Sequence, residues 1–171
     1  MFLKWWNGIE RGLVGVLAAL ALIASGYEIV TRYLLPQYAP DWGEEVIVYL
    51  VIWAVFVAGS ALAAENRHVR ADIVLRLFGT TGQRALEIFN SAASLLFCLL
   101  LAWFGWEVVQ FSIMLDERSI SSLRFPIALY YACLPIGMVL MSIRYAIRLA
   151  ALLFAFDPAT MTIQEGDITH D

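Results

Sequence analysis

Four stretches of this chain contain no Asp, Glu, Lys or Arg: residues 12–27, 46–64, 88–106 and 127–143. Each is 16 to 19 residues long. A helix that crosses the roughly 30 Å hydrocarbon core of a bilayer needs about 20 predominantly apolar residues. Each run reaches that length once its flanks are included, because long charged side chains can reach back to the interface. The runs are solid rather than alternating, which argues against a barrel. The spacing therefore predicts an all-α integral membrane protein with four transmembrane helices over approximately 12–35, 44–64, 86–111 and 126–148. A hydrophobic fraction of 61% in only 171 residues agrees. So short a chain cannot hide that much apolar surface from water in a globule.

Orientation follows Lys and Arg rather than the net charge of −4. Eight of the eleven basic residues fall on the side of the termini, and Arg32, Arg118 and Arg124 fall opposite. Both termini are thus expected in the cytoplasm. Lys4, Arg11 and the small residues Ala24-Ser25-Gly26 resemble a secretory leader. Apolar sequence resumes up to Leu35, however, which fits a retained anchor.

Between the second and third spans, Val69, Ile73 and Leu77 recur at four-residue steps among arginines. This predicts a short amphipathic interfacial helix over about 67–78. Residues 1–156 form one membrane domain, and 157–171 a polar tail. Glu28 and Arg32 are spaced for a local ion pair. Asp41 and Glu44 form a variant of a helix capping box, which leaves Glu45 for another task. Arg144 and Arg148, just past the last charge-free run, are expected to reach to the inner interface. Pro126 can open the fourth span, and Pro135 is expected to bend it. Gly12, Gly15, Ala19 and Gly26 make a small-residue stripe suited to close helix contact, within the chain or with a partner.

The missing chemistry narrows function. The two histidines, His68 and His170, lie outside the charge-free runs, so a haem held between spans is disfavoured. Cys98 and Cys133 have no metal-ligand spacing. No mid-membrane acid offers a proton relay, and no nucleophile–base set or phosphate loop is present. The scattered arginines follow topology rather than forming a nucleic-acid patch. The reading is a non-enzymatic membrane protein without catalytic, cofactor-binding or metal residues, whose surroundings are the phospholipid bilayer and other proteins.

Three segments carry a family resemblance: W-G-E-E-V-I-V-Y-L-V-I-W-A-V-F-V-A-G-S from residue 42, R-H-V-R-A-D-I-V from residue 67, and S-S-L-R-F-P-I-A-L-Y-Y-A-C-L-P-I-G from residue 121. Together they resemble the small, DctQ-type membrane subunit of tripartite ATP-independent periplasmic (TRAP) transporters over about residues 12–156. The resemblance implies two partners, a large elevator-type membrane subunit and a periplasmic substrate-binding protein. It also implies sodium-coupled uptake of an organic acid such as a sialic acid or dicarboxylate, with the sodium ions in the large subunit. Trp42, Glu44, Glu45, Gly59, Arg67, His68, Asp72, Pro126, Pro135 and Gly137 match family-typical positions, as partner contacts or structural residues; Glu44 is expected mainly to cap the second span, Glu45 to make a partner contact at the periplasmic rim, and Arg67, His68 and Asp72 to fix the interfacial helix. Many members have a glycine where this chain has Arg67. Two alternatives stay open: a self-sufficient oligomeric small transporter, and a membrane anchor or assembly subunit of a redox complex.

Overall fold

The computed structural model describes residues 2–64 and 80–154. They form four helices: α1 (Phe2–Leu34), α2 (Gly43–Ala64), α3 (Thr80–Met114) and α4 (Ile127–Phe154), with a 3-10 turn at Pro36–Tyr38. All four are long and apolar enough to cross a membrane. Among the described residues there is no strand, only an isolated antiparallel bridge between Arg118 and Pro126. The expected interfacial helix, with Arg67, His68 and Asp72, and the tail after 156 lie outside the described residues.

The helices run past the charge-free stretches. At 33 and 35 residues, α1 and α3 are about 50 Å long at 1.5 Å per residue. Both exceed the hydrocarbon thickness, so they tilt or protrude. Helix α4 continues unbroken through Pro135.

The packing order is α1–α2–α4–α3. The main contacts follow this row, with one further tie between α1 and α4 at Glu10 and Arg144, so the four lie broadly as one layer. Burial follows this order. Along α1, Glu10, Ala21, Glu28 and Thr31 are buried, which is one narrow stripe. Helix α2 has two. Gly43 meets Glu28 of α1, with buried Ala54 and Val57 on the same helical face, while Phe56 and Gly59 meet Gly137 and Met141 of α4.

The seam between α3 and α4 is built from small residues seven apart: Ser91, Cys98, Gly105 and Ser112, all buried. A seven-residue repeat keeps one face turned toward the neighbour, as in left-handed helix pairs. Small side chains let the backbones approach in lipid, where apolar burial does not itself drive association. At Gly105 a Cβ would stand 2.6 Å from Leu134 Cδ2, and at Gly137 2.8 Å from Phe56 Cβ. Gly137 therefore requires glycine for closeness, whereas at Gly105 a Cβ would need the end of the Leu134 side chain to shift. The stripe on α1 is different. Added Cβ atoms at Gly12, Gly15 and Gly26 would meet nothing within 4 Å. Among the described residues, that stripe faces away from the other helices.

Candidate functional sites at the two ends of the layer

Polar side chains gather at the two ends of the helices. At the end carrying the start of α1 and the close of α4, Glu10 is buried with 5% exposure. Its Oε1 accepts from Trp6 Nε1 at 2.6 Å and from Ser60 Oγ at 2.9 Å. Its Oε2 accepts from Arg144 at 2.8 Å. One carboxylate thus ties α1 to both α2 and α4. Arg144 is 7% exposed, and its guanidinium sits 5.3 Å from the centre of the Trp6 ring, a cation–π distance. Sequence reasoning placed Arg144 in the interface as a snorkelling residue. The structure corrects this, because a carboxylate across the layer neutralises it and its charge need not reach water.

A second pair lies nearby. Arg148 bonds the buried Glu87 of α3. Arg84 donates to the carbonyls of Leu152 at 3.1 Å and Leu153 at 3.2 Å. It thereby satisfies acceptors that the last turn of α4 leaves without intrahelical donors and adds positive charge at the negative end of the dipole.

At the opposite end, the adjacent carboxylates Glu44 and Glu45 have different surroundings. Successive residues on a helix do not share a face. Glu44 is exposed and accepts from Arg32 at 2.8 Å. The same guanidinium meets Glu28 at 2.7 Å, as the four-residue spacing predicts. The first α2 bond runs from Val46 N to the Trp42 carbonyl. Trp42, half-buried, is therefore the helix N-cap, and Asp41 lies one residue too early for the capping box. Asp41 instead accepts from Ser122 Oγ at 2.6 Å and from Ser122 N at 3.0 Å. These two bonds hold its carboxyl below the ordinary range.

Glu45 points into the chain's own loop. Its Oε2 accepts from Ser119 Oγ at 2.8 Å and from Ser121 Oγ. The loop between α3 and α4 is shaped further by Asp116 and Arg124, both at φ 46°, a region residues other than glycine seldom occupy. Arg118 lies across the Asp116 carboxylate at 3.0 Å. That contact lowers the Asp116 pKa and raises that of Arg118. Tyr49 stacks against Phe125 and Tyr130 just below, at 5.9 and 5.5 Å between ring centres.

The predicted site residues thus divide by location. Trp42, Glu44, Glu45 and Pro126 gather at this end, with Pro126 just before α4. Gly59 and Pro135 lie in the helix contacts: Gly59 faces Met141, and buried Pro135 packs beside Gly105. Sequence reasoning missed Glu10, Ser60 and Glu87 as bonded groups. The available signal was an acid inside the first apolar helix and a second acid early in α3, matched by two arginines four apart on α4. Among the described residues no group of three or more His, Cys, Asp or Glu could hold a metal.

The class these features define is a multi-pass membrane protein whose buried charges tie helices together. The chain belongs to the family described as tripartite ATP-independent periplasmic transporters, DctQ component, whose model matches residues 12–155. It is accordingly a small membrane component of a TRAP transporter. A search of curated proteins found no match.

Proposed function

We propose that this subunit is a lipid-embedded brace for the large, elevator-type membrane subunit. In this reading the transporter takes up an organic acid with sodium, delivered by a periplasmic binding protein. The supporting observation is the single layer. Among the described residues the four helices lie side by side, and Glu10, Arg144, Glu87 and Arg148 are engaged in helix-to-helix bonds rather than left along a path. A layer also offers broad faces, and α2 leaves Glu44, Val48, Val51, Val55 and Leu62 exposed along one of them. That suits a stationary element on which a moving domain bears.

The excess of basic residues with the termini supports a cytoplasmic location for both ends in the bacterial inner membrane. The Arg32–Glu44 end then faces the periplasm. There Trp42 and exposed Glu44 are our candidates for partner contact in place of Glu45, whose Oε2 is taken by the loop serines. Gly59, Pro126 and Pro135 set the packing. Arg67, His68 and Asp72 are proposed to contact the cytoplasmic interface or the large subunit.

The reading is tested by co-expression with the large subunit and detergent purification, followed by reconstitution. A stable complex, uptake requiring all three components, and no flux through liposomes holding this chain alone are expected. Flux through the chain alone would overturn it.

A further inference from the structure

At the end of the layer where the termini lie, α1 and α4 close over Ser60 through Glu10 and Arg144. Toward the other end they part, leaving an apolar crevice of about 220 Å³ over α2. Leu17 of α1, Tyr49 and Trp53 of α2, Phe125 and Leu129 line it, with Glu45 at its outer end, in the first turn of α2. Two features of this crevice are unmet by the chain. Its walls lack packing atoms, and a void forfeits the dispersion contacts that filled space would supply. Glu45 uses only Oε2, for Ser119 and Ser121. Among the described residues no arginine forms an ion pair with it: Arg32 is engaged by Glu28 and Glu44, Arg118 by Asp116, and Arg124 of the same loop makes no ion pair with Glu45.

An occupant that meets both needs has a flexible hydrocarbon chain and a cationic head. We propose that the crevice is a binding site for a phospholipid with an amine-bearing headgroup, its acyl chain against Trp53 and Leu129 and its ammonium at Glu45 Oε1. In a membrane the hydrocarbon chain is the surrounding solvent, so the carboxylate supplies the selectivity. An anionic headgroup would be repelled at the same place. The Glu10–Arg144 closure blocks the far end, which makes the crevice a socket open to one leaflet rather than a route across.

The test is a native mass spectrometry titration of the full-length, delipidated chain with dioleoyl phosphatidylethanolamine and dioleoyl phosphatidylglycerol at equal concentration. A partly exposed ion pair contributes up to about 1 kcal/mol, so the wild-type chain should retain the ethanolamine lipid about fivefold over the glycerol lipid. Glu45→Gln keeps an acceptor for the two serines and removes the charge; it should bring the ratio to about one. Leu129→Trp fills the crevice and should reduce retention of both. Equal retention by the wild-type chain would overturn the proposal, as would a preference that survives Glu45→Gln or binding indifferent to Leu129→Trp. A crosslink from Leu129→Cys to a partner protein in place of lipid would also overturn it.

Discussion

Removing one half of the Glu10–Arg144 pair should cost far more than removing both. The two side chains are 7% and 5% exposed and 2.8 Å apart. At an effective dielectric near 20, charges this close attract by roughly 6 kcal/mol. Desolvation takes back several kcal/mol, so the intact pair contributes little net stability, whereas breaking it leaves an uncompensated charge at about 3 to 5 kcal/mol. The two single variants should also differ. In Glu10→Gln the Arg144 guanidinium stays charged, because arginine does not discharge in proteins. In Arg144→Met the Glu10 carboxylate keeps its bonds from Trp6 and Ser60, which relieve part of the cost. We expect a loss of about 4 kcal/mol for Glu10→Gln and about 2 to 3 for Arg144→Met, with the double variant within about 1 kcal/mol of wild type. The assay is a double-mutant cycle on the purified chain, unfolded by denaturing detergent in mixed micelles and followed by circular dichroism. Two single losses below about 1 kcal/mol that simply add would refute the claim that this pair locks α1 to α4.

Ser60→Ala removes only one of Glu10's donors and should cost about 0.6 kcal/mol in the same assay, near the average for helix-to-helix hydrogen bonds in membranes. Gly137→Ala drives a Cβ against Phe56 Cβ and should destabilise by about 1 to 3 kcal/mol. Gly12→Ala, in open space, should instead stabilise the isolated chain by about 0.5 to 1 kcal/mol; thermal unfolding of the two variants in parallel would show opposite signs. The Asp41 carboxyl is held below its ordinary value of 3.8 by Ser122. A depressed value means that its stabilisation is fully present above 3.8 and disappears only as pH falls through the lowered folded value. Hydrogen exchange at the Ser122 amide, corrected for intrinsic rates, should therefore stay protected from about pH 8 to 5. Protection lost near neutrality would contradict the assignment.

The spans were legible because a bilayer imposes its condition on each helix separately, in composition and length. Which helix lies beside which is set differently. Lipid is as apolar as the side chains it touches, so the face of a membrane helix that meets a neighbour has no hydropathy signature. The glycine stripe of α1 and the Ser91–Cys98–Gly105–Ser112 seam of α3 are alike in composition, yet the first faces outward and the second forms a contact. The same blindness hid the Glu10–Arg144 bond. Read along the chain, Arg144 is a cation near a helix end, which interfacial water can solvate. It becomes a buried group only once α1 is brought across α2, and nothing within either helix's own periodicity specifies that crossing. Glu44 and Glu45 make the point at the shortest range. One residue of helical rotation separates them, yet it turns the first toward Arg32 of α1 and the second toward the serines before α4. Local chemistry limits what such a carboxylate can do, and the packing order α1–α2–α4–α3 selects which of those roles it performs.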